Sequence, residues 1–470
     1  MTRISISVMK LFYMTRSKYL PWTGLMVCIS LLLISWTGRP GNNPAVPVDY
    51  YKLGNGLKVV LSQDKTAPII TVGVYYNIGF RIEPKDRTGF AHLFEHMMFQ
   101  GSKNLGKMEF IKLVQQNGGV LNGSTRFDFT NYYEVMPSHK LETALWAEAD
   151  RMKGLAVTQD NLVNQQGVVK NEVKVNVLNQ PYGGFPWLDM PQYANENWYN
   201  AHNFYGDLAD LDSAKLEDVA SFFKTYYSPN NAVIVVVGDF ETADAKKWIA
   251  KYFTDIPSVT IPKLGDISEP RQEKEKRFVK EDKLANKPAI GIAYKMPEKQ
   301  TPEYYAMGLI DQMLAKGNDS KLYQALVQEK GYTSTVSGGI NYLLGNMFDY
   351  NGPMLWMSSL IHDSTVKADD IIKEYDKAIT DLENNVTQAD VDLALIKKRS
   401  EVYDAIGGLG IGKVNLLACF ALFDDKPALV NDLEQNFRKV TPELIKKTIK
   451  EYLRPTNRTI LIIDPKAPKK

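Results

Sequence analysis

The sequence has 470 residues, of which 44% are hydrophobic and 23% are charged, and its formal net charge is +2. This length predicts two or three domains, and the composition is typical of a globular protein rather than a disordered or fibrous one. No block of basic residues is interleaved with aromatic residues, which argues against nucleic acid as a partner. Of the two cysteines, Cys28 and Cys419, the first lies in the leader described next. This excludes a disulfide framework in a processed protein and a metal site built from thiolates.

The first 48 residues have the features of a leader followed by a spacer. Residues 1–19 contain four basic residues and no acid, and residues 20–35 form an uncharged, mostly apolar run. This is the n-region and h-region of an export signal. The run is shorter than the ~20 residues that span a bilayer, which favours a cleaved signal peptide. Because no small-residue cleavage site follows, an N-terminal membrane anchor is the alternative. In either case we expect the rest of the chain to be exported, to the periplasm or the envelope.

Strand patterns dominate the start of the folded chain. Asn55-Gly56 is a favoured two-residue turn between β-prone runs and predicts a hairpin, and Ile69–Tyr76 predicts a further strand. Residues 117–125 and 127–135 predict a second hairpin, near the edge of the sheet.

A helix predicted between Thr88, its expected N-cap, and Gly101 contains the pattern His92-x-x-Glu95-His96. Residues four apart lie on one face of a helix, so both imidazoles would point at a common spot with Glu95 beside them. Two ordinary, partly buried histidines are the simpler alternative. With five histidines in 470 residues, however, the pattern is rare by chance. It is the inverzincin signature and predicts a zinc site with a base beside it.

Zinc held by two histidines needs a third protein ligand and an open position for water. Glu95 would take a proton from that water and later give it to the leaving amine. A second helix is predicted from the spacing of Leu162, Val169 and Val173, and Glu172 falls on a different face of it. Spacing alone does not decide which downstream carboxylate completes the site.

An internal repeat predicts the domain organisation. Three residue pairs share an offset of 226 residues: Tyr226 and Tyr452, Pro229 and Pro455, and Asn231 and Asn457. We therefore predict an α+β fold of two homologous domains, each a mainly antiparallel sheet packed with helices. The predicted N-terminal, zinc-binding domain spans residues 49–262, and a charged linker spans 263–284. The predicted C-terminal domain spans 285–470, and with His362 as its only histidine it cannot repeat the metal site.

The chain resembles the pitrilysin family of zinc metallopeptidases, which includes insulin-degrading enzyme and the mitochondrial processing peptidase. The motifs that carry the resemblance are residues 89–99, 166–172, 179–183, 229–232 and 237–239. The resemblance covers about residues 49–465 and implies a metalloendopeptidase with one Zn²⁺, acting on unfolded peptides, whose two domains form half of a clamshell. It implies that His92, His96 and Glu172 are the ligands and that Glu95 is the base.

Two further residues are assigned through the same resemblance. It implies that the strand containing Asn122 lines the cleft and pairs with a bound peptide by β-augmentation. Asn122 is thus a candidate substrate contact, although it could instead only shape the turn. Gln165 occupies the position where the family commonly has a second acid one helical repeat before the third ligand. A glutamine there can orient a ligand but cannot tune its charge.

The second half departs from the family pattern at two positions. Family members that act alone carry an arginine, and a tyrosine seven residues later, that reach the scissile peptide; here these positions are Val327 and Ser334. Donors that stabilise an oxyanion typically matter by factors of about 10² to 10³ in rate, so we expect the chain alone to be slow. We predict a homologous partner subunit that supplies the Arg/Tyr pair in a heterodimer, with a homodimer as the alternative assembly. A non-catalytic structural or binding subunit is the alternative function.

A glycine-rich segment, residues 407–414, fits the spacing of a phosphate-binding loop. Val414 replaces the Ser/Thr that would bind magnesium, and a helix-like segment precedes the glycines instead of a strand. We therefore predict a loop between two helices rather than a nucleotide site.

Overall fold

Two mainly antiparallel sheets, one in each half of the chain, organise the structure. The computed structural model describes residues 45–408 and 410–465. The predicted leader up to residue 44, including Cys28, lies outside the described residues, so the export signal stays a prediction. The described residues from Val46 to Pro465 belong to one compact unit.

The first sheet has six strands in the order β1-β2-β6-β3-β5-β4. The bounds are Asp49–Lys52 (β1), Lys58–Gln63 (β2), Ile69–Tyr76 (β3), Val120–Thr125 (β4), Thr130–Pro137 (β5) and Ala232–Gly238 (β6). Only β2 and β6 pair in parallel; the other four pairs are antiparallel. Both predicted hairpins, β1-β2 and β4-β5, are present, and β4 forms an edge of the sheet. The two-residue turn predicted for the first hairpin was wrong: Lys52 pairs with Lys58, and Gly56 N donates a 2.9 Å hydrogen bond to Leu53 O, so the turn closes around Gly54-Asn55 within a longer connection.

The second sheet has five strands in the order β7-β11-β8-β10-β9. The bounds are Lys276–Asp282 (β7), Ala289–Lys295 (β8), Ser337–Ile340 (β9), Leu355–Ile361 (β10) and Arg458–Pro465 (β11). Its one parallel pair, β7 with β11, corresponds to β2 with β6, and β8, β10 and β9 then follow in the order of β3, β5 and β4. The first strand, β1, has no counterpart in the second sheet. This confirms the predicted duplicated α+β fold.

The charged linker predicted for residues 263–284 is shorter in the structure, because β7 lies within it. Half-buried and exposed residues alternate along β7, as expected for a charged strand at a sheet edge that exposes one face. The exact domain boundaries remain our proposal.

The described helices of the first half have 4 to 15 residues. They are Phe90–Met97 (α1), Glu109–Gln116 (α2), Leu141–Lys153 (α3), Gln159–Val173 (α4), Asp189–Ala194 (α5), Trp198–Ala201 (α6), Leu208–Ser213 (α7), Leu216–Tyr226 (α8) and Thr242–Phe253 (α9). A π-helical segment, Lys174–Leu178, extends α4.

The helices of the second half include the longest ones of the described chain. They are Pro302–Ala315 (α10), Lys321–Tyr323 (α11), Ala368–Asn385 (α12), Gln388–Gly407 (α13), Ile411–Asp424 (α14), Leu433–Arg438 (α15) and Pro442–Tyr452 (α16). In the described ranges, no single helix is long and apolar enough to span a bilayer. Only α13 and α14 taken together pass on length and composition, as a pair bent by 97°.

The two occurrences of the repeat have the same local structure. In each, an asparagine amide donates hydrogen bonds to the helix that precedes it and to the end of a central strand. Asn231 Nδ2 donates to the carbonyl oxygens of Tyr226 and Asn77, at 2.9 and 3.3 Å. Asn457 Nδ2 donates to the corresponding oxygens of Tyr452 and Lys295, at 2.7 and 3.0 Å. The repeated asparagines thus fix the connection from each helix to the strand that follows it, β6 or β11.

Each half also contributes a helical segment to the sheet of the other half. α14 packs on the first sheet, where a Cβ added to Gly73 of β3 would lie 2.7 Å from Val414 Cγ1. The segment that contains Phe185 and α5 packs on the second sheet, where a Cβ on Gly291 of β8 would lie 2.9 Å from the Phe185 ring. Tyr182 N in this segment donates a 2.6 Å hydrogen bond to Asp282 Oδ2.

Candidate metal centre

Helix α1 carries the two histidines of the motif on one face. His92 Nε2 and His96 Nε2 lie 3.2 Å apart, and the two rings are nearly perpendicular, at 87°. His92 is buried, whereas 21% of the His96 side chain is exposed. Burial lowers the pKa of His92 to about 3, and the neighbouring His96 acts in the same direction. The imidazole of His92 is therefore neutral near pH 7, the form in which histidine binds a metal.

The start of α1 differs from the prediction. Gly89, not Thr88, is the N-cap, with φ of +81° in the left-handed region. The Glu83 carboxylate accepts hydrogen bonds from Gly89 N and Ala91 N, at 2.9 and 2.6 Å. A carboxylate at this end satisfies the free N–H groups and complements the helix dipole. The prediction of Thr88 as the N-cap was wrong. The carboxylate that bonds the first N–H groups belongs to Glu83, which lies earlier in the chain than the N-cap position that the capping rule considers.

Glu172 lies beside the two histidines because α4 packs against α1. Its Oε1 is 3.6 Å from His92 Nε2, and its Oε2 is 3.2 Å from His96 Nε2. Burial by itself raises the pKa of Glu172, but the contacts with His96 and His92 outweigh it and lower the pKa. The carboxylate is thus ionised near pH 7.

The three side chains fit a zinc ion by donor type and spacing. Their ligand atoms all lie within 4.8 Å of one another, and they form the one such group of His, Cys, Asp and Glu side chains found among the described residues. Zinc bonds of about 2.0–2.2 Å in a tetrahedral site place neighbouring ligand atoms about 3.3–3.6 Å apart. The separations of 3.2, 3.2 and 3.6 Å are close to these values. Two imidazoles, one carboxylate and an open side are the donor set of a catalytic zinc site.

Glu95 lies on α1 next to His96 and is held by the edge strand. Thr125 Oγ1 of β4 donates a 2.7 Å hydrogen bond to Glu95 Oε2. A Cβ added to Gly123 would lie 3.3 Å from Glu95 Cγ, so β4 passes directly over this carboxylate. Burial raises the pKa of Glu95, while the hydrogen bond from Thr125 opposes the increase. A carboxylate with a raised pKa suits proton transfer near neutral pH.

Sequence reasoning missed an aromatic group that supports the centre. Tyr205, in the loop between α6 and α7, donates a 3.1 Å hydrogen bond from its hydroxyl to Glu172 Oε1. The ring of Phe204 packs on His92 with centroids 4.5 Å apart. Trp187 packs against Phe204 and Tyr205. Burial raises the pKa of Tyr205 to about 12, so its hydroxyl remains a donor. No spacing rule links these aromatic residues to the histidine motif.

The two remaining predicted residues, Asn122 and Gln165, make local hydrogen bonds outside the cluster. Asn122 is exposed on edge strand β4, and its Oδ1 accepts a 2.9 Å hydrogen bond from Gly123 N. Gln165 is buried on α4, and its amide donates to Asn164 Oδ1 at 2.8 Å rather than to a residue of the cluster. Neither contact tests a role in substrate binding or in orienting a ligand.

Val327 and Ser334, the two positions that depart from the family pattern, lie in the second half. Val327 lies in the π-helical segment Gln324–Glu329 and packs half-buried against the core. Ser334 is exposed in the bend before β9. Neither side chain can replace an arginine or a phenol as a donor.

The glycine-rich segment connects α13 to α14, as predicted. Lys413 is 5% exposed, and its Nζ lies 2.8 Å from Asp64 Oδ2. The lysine is therefore paired with a carboxylate of the first half.

Two family profiles match the chain in succession. The insulinase (peptidase family M16) profile matches residues 58–197, and the peptidase M16 inactive domain profile matches residues 213–397. The first match contains His92, His96 and Glu172, and the second match begins in α7.

Among curated proteins, the chain is similar to the zinc protease PqqE of Helicobacter pylori, with 26% identity over 88% of this chain and 92% of that protein. It is 30% identical to the insulin-degrading enzyme homolog of Dictyostelium discoideum, over 47% of this chain but only 23% of that protein. It is 22% identical to the mitochondrial-processing peptidase subunit beta of Lentinula edodes, over 73% of this chain and 74% of that protein.

Among solved structures, a protease from Helicobacter pylori has a TM-score of 0.81 and 25% identity, covering 89% of this chain and all of that one. The periplasmic protease PqqL from Escherichia coli shares the fold, with a TM-score of 0.70 and 14% identity over 89% of this chain and 48% of that one. These relatives confirm the resemblance that the sequence motifs indicated. The chain belongs to the insulinase family of peptidases, peptidase family M16.

Proposed function

We propose that the chain is a zinc-dependent endopeptidase that hydrolyses unfolded peptides or short polypeptides. The observation that carries this proposal is the convergence of His92, His96 and Glu172 within 4.8 Å, with Glu95 on the same helix as the histidines. These three residues would hold one Zn²⁺. When bound, zinc supplies Lewis-acid polarisation of the scissile carbonyl and makes a water acidic enough to ionise near pH 7.

Glu95 is the general base and acid of this mechanism. Its carboxylate takes a proton from the attacking water and delivers it to the leaving amine. Thr125 holds one carboxylate oxygen at 2.7 Å, which leaves the other oxygen free for the proton. Because burial raises the pKa of Glu95, the protonated carboxyl is a competent acid in the second step.

The substrate pairs with the edge of the first sheet. β4 is the last strand in the sheet order, and its backbone passes over Glu95. An extended peptide added to this edge would have its backbone held by strand hydrogen bonds and its scissile bond beside the histidines. Asn122, exposed on β4, is our candidate for a contact to this peptide.

The chain acts together with a homologous subunit. Val327 and Ser334 offer no equivalent of the donors that bind the substrate carbonyl in members acting alone, so a different, homologous subunit would supply the Arg/Tyr pair. A second copy of this chain would bring the same valine and serine. Two features support this proposal: a relative is named as a beta subunit, and the fold matches 48% of the longer Escherichia coli chain. The same two residues favour the second candidate function, a non-catalytic binding subunit.

We propose further that the protein acts outside the cytoplasm. The basic N-terminal stretch and the apolar run at residues 20–35 support export to the periplasm or the envelope. Cell fractionation tests this location, and recovery of the protein only in the cytoplasm would refute it.

The decisive experiment compares wild type with Glu95→Gln for bound zinc and for cleavage of an unfolded peptide, each chain alone and with its partner. We expect both proteins to bind one zinc per chain and only the wild type to cleave. A wild type that binds no zinc, or a Glu95→Gln variant that cleaves as fast, would overturn the peptidase proposal. Zinc binding without cleavage under any condition would instead support the binding-subunit function.

A further inference from the structure

Tyr205 contacts two of the three residues of the candidate metal centre. Its hydroxyl donates a 3.1 Å hydrogen bond to Glu172 Oε1, and its ring meets the His92 ring edge to face, with centroids 5.1 Å apart. Only 5% of Tyr205 is exposed. The residue belongs to neither α1 nor α4, so it is a third element that connects the histidine helix to the helix of Glu172.

The backbone next to Tyr205 is fastened to the start of α1. A Cβ added to Gly206 would lie 2.3 Å from Gly89 N, and one added to Gly89 would lie 2.5 Å from Tyr205 O. Asp207 N donates a 2.8 Å hydrogen bond to Thr88 Oγ1. These contacts leave no room for the loop to shift relative to α1. The phenol therefore has a fixed position with respect to the two histidines.

The Glu172 carboxylate needs such a fixed reference. Its side chain is 28% exposed, and its oxygens face His92 Nε2 at 3.6 Å and His96 Nε2 at 3.2 Å. The terminal torsion of a glutamate is broad, so a carboxylate without a hydrogen bond samples many orientations. A donor on a loop that is packed against the start of α1 restricts this rotation through Oε1, while Oε2 faces His96.

We propose that Tyr205 is a positioning residue that orients the Glu172 carboxylate toward the two imidazoles and so sets the metal affinity of the centre. The inference rests on the proposed function, since it assumes that these three residues hold zinc. Residues that hydrogen-bond a metal ligand typically contribute 10- to 100-fold in affinity.

The test is the zinc affinity of the full chain and its Tyr205→Phe variant, measured by competition with a chelating dye. Phenylalanine keeps the ring against His92 and removes only the hydroxyl, so we expect a folded protein with zinc affinity lowered about 10- to 100-fold. Tyr252→Phe is the matched control. It removes a hydroxyl that donates a 2.8 Å hydrogen bond to another glutamate, Glu142, between α9 and α3. Its zinc affinity should equal that of the wild type.

The visible spectrum of the cobalt(II)-loaded protein gives a second readout, because it reports the arrangement of the ligands rather than the stability of the fold. We expect Tyr205→Phe to change this spectrum and Tyr252→Phe to leave it unchanged. A Tyr205→Phe protein with wild-type zinc affinity, or with a wild-type cobalt spectrum, would overturn the positioning role. A wild type that binds no zinc would overturn the proposed function first, and this inference with it, so the two failures are distinguishable.

Discussion

Thr125 Oγ1 donates a 2.7 Å hydrogen bond to Glu95 Oε2 and thereby joins the edge strand of the first sheet to the carboxylate on the histidine helix. Burial raises the pKa of Glu95, and this hydrogen bond favours the ionised form and opposes the increase. The strand proposed to hold the substrate therefore also tunes the proposed base.

Replacing Thr125 by valine, which has nearly the same shape, should move the acid limb of kcat/KM to higher pH. Without the hydroxyl the ionised carboxylate loses its donor, so the pKa of Glu95 increases further and the base form disappears at a higher pH. The measurement is the pH profile of peptide hydrolysis. Thr225→Val is the control, because that hydroxyl donates to a helix carbonyl on α8. An acid limb that stays in place would show that the hydrogen bond does not act on the base.

Removing zinc should abolish hydrolysis and lower the thermal stability, and adding zinc back should restore both. A ligand that binds only the folded state stabilises it by about 4 kcal/mol at 1,000 times its Kd.

Glu172→Gln should lower the zinc affinity by more than the ~100-fold typical of residues that only hydrogen-bond a ligand. Glu142→Gln, a change at a carboxylate 42% exposed in its side chain, is the control for the lost charge. Equal zinc affinity in the two variants would remove Glu172 from the ligand set.

The repeated asparagines should contribute similarly to stability. Asn231→Ala and Asn457→Ala each remove the amide that bonds two backbone carbonyls, one at the end of a helix and one at the end of a central strand. We expect each to lower the free energy of unfolding by about 1–3 kcal/mol, measured in urea. Asn385→Ala, an exposed asparagine near the end of α12, should change it little. A loss in only one of the two repeats would contradict equivalent roles.

Asp64 and Lys413 should make stability fall in acid. The hydrogen bond from Lys413 lowers the pKa of Asp64 to about 2. A lowered pKa stabilises the folded state above the unfolded value of about 3.9, and this contribution is lost as the pH falls toward about 2. Asp64→Asn should lower the free energy of unfolding at pH 7 by about 1–3 kcal/mol and flatten the loss between about pH 4 and pH 2. An unchanged acid dependence would contradict the ion pair.

The local parts of the site could be predicted, and the distant parts could not. The pairing of His92 and His96 follows from helix periodicity, and the edge hairpin follows from strand alternation and turn residues. Glu172 could be assigned only through resemblance, because its position depends on how α4 packs against α1. Tyr205 lies on a loop whose path depends on the contact between Gly206 and Gly89, and neither a period nor a motif encodes such a contact.

The duplicated fold was predictable because three residues recur at one offset, and in each half they form the same connection between a helix and the strand that follows it. The bounds of the charged segment could not be predicted, because the charge pattern of β7 is typical both of an exposed linker and of an exposed edge strand. Only its pairing with β11, formed by residues from the other end of the half, distinguishes the two.

The reciprocal packing of α14 on the first sheet and of the Phe185 segment on the second shows that the two duplicated halves depend on each other. Gly73 and Gly291 occupy equivalent places on β3 and β8, and each accepts a side chain that belongs to the opposite half. The two halves are therefore intertwined in the manner of a swapped dimer within a single chain. The second half, whose described residues include no second group of candidate metal ligands, still completes the folding of the first. Cutting the gene between them should produce two insoluble fragments rather than a minimal enzyme and a dispensable remnant.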